Sequence, residues 1–144
     1  YQREPSDEQL ALAQVLTGAG VIDLIMGNHV HVVKPVSVVN AVPVNNGLGN
    51  SLSSQSDNCC RTGTQDGVVI EARIQGNADI GYQVSGLAFA PTWVDRSDYT
   101  IVDLLAALDD PALDLLVRSI YETSFGRTVE AIHSLRWEIL LAGG

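Results

Sequence analysis

The sequence predicts a mixed α/β (α+β) fold. Its hydrophobic rhythm changes along the chain: helical spacing and then an apolar run at the start, strict alternation in the middle, helical spacing again at the end. The 144 residues fit one compact core, and 46% of them are hydrophobic. Mean hydropathy is +0.15, which excludes a disordered segment.

The first element is a helix. Ser6 and Gln9 stand at capping-box spacing, Pro5 precedes them, and Asp7 and Glu8 place negative charge in the first turn. Leu12, Val15 and Leu16 supply an apolar face at i, i+3 and i+4, and Gly18 and Gly20 stop the helix. Residues 21–26, Val-Ile-Asp-Leu-Ile-Met, read as a buried strand. Helix, turn and strand form the αβ half of a βαβ unit. With Tyr1 in place of Met and no strand ahead of the helix, the chain is expected to be a piece of something longer, with the edge at 21–26 left unpaired.

Residues 32–44 are rich in Val and interrupted by Pro35 and Pro43, which favours short edge strands. Asn45-Asn46-Gly47-Leu48-Gly49-Asn50 is a turn-forming cluster, and 51–63 is a polar loop. Val68, Ile70, Ala72 and Ile74 then alternate with Val69, Glu71, Arg73 and Gln75. The turn Gly76-Asn77-Ala78-Asp79 leads into 80–89, where Tyr82 and Val84 share a face, and the pair reads as a hairpin. Residues 91–99 read as a loop or short extended piece. Asp110-Pro111 is an N-cap and N1 pair for a helix carrying Leu113, Leu116, Val117 and Ile120. A final helix over 126–141 carries Val129, Ile132, Leu135 and Ile139.

Charge and composition narrow the function classes. Eight Lys and Arg face seventeen Asp and Glu, for a formal net charge of -9, and no basic run exists. Nucleic acid and anionic membrane surfaces are therefore poor partners. No apolar stretch has the length of a membrane span. Cys59 and Cys60 are adjacent, so a CxxC motif is excluded; two free thiols and a vicinal disulfide are the alternatives.

The chemistry concentrates at Gly27-Asn28-His29-Val30-His31. In an extended segment His29 and His31 point to the same side. They follow the apolar run and so stand at a strand's carboxyl end, where open α/β sheets place their sites. Neutral imidazole is the commonest transition-metal ligand, and a metal site follows as the sharpest hypothesis. Asn50 can line that site, with Gly47 and Gly49 allowing close approach of the backbone; a simple tight turn explains the same residues. Gln65 and Asp66 offer substrate contacts as one reading and turn residues ahead of a strand as the favoured one. Asp95, Asp98 and Asp103 read as a solvated acidic face, His133 as a boundary histidine, and Trp93 and Trp137 as packing. The serines of the polar loop have neither a triad pattern nor a nucleophile elbow around them.

Residues 1–94 resemble the C-terminal part of the bacterial capsule-synthesis CapA (PgsA, poly-γ-glutamate synthesis) family, of the calcineurin-like metallophosphoesterase superfamily. The residues that carry the resemblance are Gly27 with His29, His31 and Val32, then Pro35, then Leu48-Gly49-Asn50. The stretch from Ser51-Leu52-Ser53 through Cys59-Cys60 to Thr64-Gln65-Asp66-Gly67 is similar to actinobacterial-type members. Where the family often carries an aromatic residue ahead of Gly47, this chain has Asn46.

The resemblance implies the C-terminal portion of a layered metallophosphoesterase-like β-sandwich over 1–94, with flanking helices and a helical extension over 95–144. It implies that His29 and His31 are metal ligands, with Asn28, Gly47, Gly49 and Asn50 lining the site. Two divalent metals (Mn, Fe or Zn) would serve the full-length protein, set about 4 Å apart to activate water and hold phosphoryl oxygens. The other ligand motifs are absent from these residues, so the isolated piece is expected to be inactive. An anionic or phosphorylated substrate, the capsule-polymer machinery as partner, and a cell-envelope or extracellular location follow from the same resemblance. A non-catalytic envelope component that binds or organises that machinery remains the alternative.

Overall fold

The computed structural model describes residues 1–133 and a two-residue strand at Leu140–Leu141. The fold is mixed α/β, with two open sheets and three helices among the described residues. Helix α1, Asp7–Gly18, starts with the expected capping box: Gln9 N donates to Ser6 Oγ, and Ser6 N donates to Gln9 Oε1, both at 3.2 Å. Its packing face is not the expected one. Ala13 and Thr17 are buried, whereas Leu12 and Val15 are 59% and 72% exposed. Small side chains let the helix approach closely, and Thr17 Oγ1 is fixed by accepting a 3.0 Å hydrogen bond from Asn40 Nδ2.

The run 21–26 forms much less strand than expected. Only β1, Ile25–Met26, pairs, and Val21 is 79% exposed. Its neighbour is β3, Val42–Asn45, in parallel register, and β3 pairs antiparallel with β2, Val36–Val39. The order β1-β3-β2 leaves β1 at the edge, covered on one side alone, so the apolar run has too few partners to stay extended and buried. Ala13, Val39 and Val44 form a small core beneath α1, with Ile25 packed against it.

The second sheet is built on the hairpin β4, Asp66–Asn77, and β5, Gly81–Asp95. Asn77 Oδ1 closes the turn by accepting from the backbone N–H groups of Asp79 and Ile80. Alternation buries Val68 and half-buries Ile70 and Ala72. Beyond the register shift at Arg73/Ile74, Ile74 and Tyr82 are exposed. The stretch 91–99 is strand as far as Asp95, because β5 pairs with an unexpected strand β6, Thr100–Asp103, to make a hairpin. The strand β7, Leu140–Leu141, adds in parallel to β5.

The helical part also departs from expectation. Asp103 caps a short helix α2, Leu104–Asp109, through Oδ1. Asp110 ends α2, and its own Oδ1 is taken by Ala112 N, so Asp110-Pro111 makes a turn instead of starting a helix. Asp114 is the effective cap of α3, Leu115–His133, and accepts from Leu116 N and Val117 N. Gly126 lies inside α3, so the two expected helices are one; Leu135, Trp137 and Ile139 lie outside the described residues. Helix α3 closes the main core, where Ile132 joins Val33, Val36, Val68, Leu87 and Phe89. The sheets meet at the bridges Val33–Leu48 and Gly49–Gly67, which bring the turn cluster against the base of the hairpin.

Candidate functional site

The segment 27–31 leaves the end of β1 and crosses the turn cluster. Gly27 N donates to Asn45 O at 2.7 Å, holding the first residue to β3. The backbone then bends: His29 and His31 have φ of 82° and 62°. The expected extended geometry is therefore absent, and left-handed backbone, not strand alternation, sets the direction of both side chains. The rings nevertheless lie together, with centroids 5.7 Å apart, and Tyr1 stacks obliquely 6.1 Å from His31. His29 is exposed and His31 half-buried.

Asn50 organises this pair. It is 7% exposed, and its Nδ2 donates to Thr64 O at 2.8 Å, a group that can only accept. That contact fixes the orientation of the amide. Oδ1 must then be the atom 2.9 Å from His31 Nδ1, so Nδ1 is the donor in this contact, and the tautomer it selects in the neutral ring has its lone pair on Nε2. Asn50 N also donates to Asp66 O at 3.1 Å, anchoring the residue to the start of β4.

The remaining turn residues give this arrangement its closeness. A Cβ on Gly47 would stand 2.6 Å from Val30 Cγ2, and one on Gly49, at φ 73°, would collide with Asp66 O. Both glycines thus admit neighbouring segments of the protein itself. Asn28 is exposed beside the two histidines. Asn46 is buried and ties the cluster to β2 by donating from Nδ2 to Ser37 Oγ at 3.0 Å and, just ahead of the strand, to Pro35 O at 2.8 Å.

Asp66 has a larger role than a turn residue. Its carboxylate accepts from Ser124 Oγ at 2.6 Å and from Arg127 Nε and Nη2, each at 2.8 Å, and so binds α3 to the base of β4. The Asp66 hydrogen bonds hold the Arg127 guanidinium above its usual pKa, against the effect of burial. Lys34 is also unexpected: it is 1% exposed, and its Nζ donates to Gln9 Oε1 at 2.7 Å. Burial lowers its pKa from 10.5, with Glu4 opposing. A lone lysine inside a Val-Val-Lys-Pro-Val run was the visible signal. Asp66 and Arg127 share no local signal at all.

His29 and His31 fit part of a metal donor set. Among the described residues no group of three or more His, Cys, Asp or Glu side chains could hold an ion. Two imidazoles fall short of the four or more donors a transition metal takes. Cys59 and Cys60 form a vicinal disulfide, the second of the two alternatives, in the loop between Asn50 and Asp66.

The match to known sequences begins in the same region. Residues 1–55 match the family model described as bacterial capsule synthesis protein PGA_cap. That span holds both histidines and Asn50. Through residues 1–55, the chain is similar to this capsule-synthesis family. The chain is similar to the PGA biosynthesis protein CapA of Bacillus subtilis (strain 168), with 31% identity over 85 residues, 59% of this chain. It spans about a fifth of that CapA protein's length, 21%. No solved structure matches the chain. Among the described residues no helix is long and apolar enough to cross a membrane.

Proposed function

We propose that His29 and His31 supply two nitrogens to a divalent-metal centre for phosphoester chemistry in the biosynthesis of an anionic capsule polymer. The observation that carries the reading is the Asn50 contact, which leaves His31 Nε2 free to bind a metal. A metal bound there would supply Lewis acidity toward a phosphoryl oxygen. The chain's own part is to hold the imidazoles. Asn50 sets the tautomer and orientation of His31, and the left-handed backbone at both histidines brings the rings side by side. The further ligands, the phosphorylated substrate and the cell-envelope location belong to the same proposal and concern the whole CapA-type protein.

The test is a titration of this chain with Zn2+, followed by the imidazole NMR signals. His29 and His31 should shift together, His133 should not, and binding should be weak because two nitrogens act alone. His29→Asn and His31→Asn should each abolish the joint shift, since asparagine tolerates left-handed backbone. An unchanged response in both variants would overturn the assignment.

A further inference from the structure

A pocket of about 360 Å³ opens between the disulfide loop, the end of β5 and the outer face of α3. Its volume lies in the range of small-molecule sites, about 300–1,000 Å³. It is separate from the histidines. Trp93 lines it, braced by Tyr121 at 5.4 Å between ring centroids. Around the indole stand five planar polar side chains: Asp57, Asn58, Gln65, Arg96 and Arg127.

Hydrogen-bonding capacity is left over on all five. Arg127 commits Nε and Nη2 to Asp66 and keeps Nη1. Gln65 donates from Nε2 to Val94 O and keeps its carbonyl, and Asp57 accepts from Gly63 N at Oδ1 and keeps Oδ2. The side chains of Arg96 and Asn58 have no hydrogen-bond partner among the described residues. The charges nearly cancel: Arg127 is paired with Asp66 and also feels the Asp57 carboxylate, and Arg96 is the second cation of the lining. A lining that holds Arg96, Arg127 and Asp57 together offers no single sign of charge to a free anion or a free cation.

The ligand that suits such a lining is uncharged, donates and accepts at adjacent positions, and has an apolar face. Vicinal hydroxyls both donate and accept, planar guanidinium and carboxylate groups engage them in pairs, and an indole covers ring C–H groups. We propose that this pocket binds a neutral sugar ring, with Trp93 against the ring face and Arg96, Asp57 and Asn58 on its hydroxyls.

The experiment is a titration of the chain with N-acetylglucosamine and with methyl glucoside, read from the Trp93 indole N–H signal, which Trp93→Phe identifies. At least one sugar should saturate that signal in the millimolar range. Arg96→Ala should weaken binding about tenfold or more, and Ser119→Trp, which fills the pocket from α3, should abolish it, both at unchanged melting temperature. Saturation by glutarate but by neither sugar would overturn the proposal in favour of an anion site. Absence of saturation by both sugars at 50 mM (roughly the weakest useful binding), or full affinity in Ser119→Trp, would refute it outright.

Discussion

The Asp66–Arg127 contact gives a prediction with a calculable size. Asp66→Asn keeps the shape but removes the charge and places N–H donors against the Arg127 donors. Breaking a buried ion pair by removing one partner costs about 3–5 kcal/mol. The Arg127 side chain is 22% exposed and recovers part of its hydration, which brings the expected loss toward the lower end. Ser124, 0% exposed, still finds an amide oxygen to donate to, so no orphaned hydroxyl is added. The expected loss is about 3 kcal/mol, or about 10 °C in melting temperature for a chain of this length. Urea unfolding measures it, and a double-mutant cycle with Arg127→Met should return a coupling of about 2 kcal/mol. A loss under about 0.5 kcal/mol, or zero coupling, would mean that the contact does not hold α3 to the hairpin.

Other consequences are open to measurement. Burial lowers the Lys34 pKa from 10.5, so the unfolded chain binds more protons at alkaline pH, and Lys34 adds stability as pH rises through its folded pKa toward 10.5. Lys34→Met should flatten that rise in urea midpoints taken from pH 8 upward; an unaltered slope would assign it to another group. Gly49→Ala should cost about 2 kcal/mol or more, because the backbone is left-handed and the new Cβ meets Asp66 O; wild-type stability in the variant would contradict the packing of the turn cluster. The vicinal disulfide predicts that neither Cys59 nor Cys60 is alkylated before reduction and that both are afterwards, read by intact mass.

What the sequence made legible was local. The capping box of Ser6 and Gln9, the alternation from Val68 to Ala72 and the Asn77 turn each state their geometry within a few residues, and each has it in the structure. Longer-range choices were not written locally. Leu12 and Val15 have helical spacing yet face out, because α1 packs through Ala13 and Thr17 on a surface the sequence pattern does not describe. Asp110 and Asp114 are both good caps, and α2 ending at Asp109 decides between them. At the candidate site, the residue types His29, His31 and Asn50 were readable and their means of convergence was not. Two positive φ values and a hydrogen bond from Asn50 to Thr64 replace the expected strand alternation.

Helix α3 has a bearing on where evolution and experiment could divide this chain. The family match stops at residue 55, inside a loop that Asn50 bridges to Thr64. Removing everything after 94 would take away Ile132, which is 0% exposed in the main core, and Arg127 with it. Losing a core isoleucine costs about 2–5 kcal/mol, and the unpaired Asp66 adds a comparable amount, against a typical total stability of about 5–15 kcal/mol. The segment that the family model matches and the folding unit therefore have different borders. A shortened piece carrying only residues 1–55 would lack both the helix that closes the main core and the Asp66 backbone oxygen that anchors Asn50.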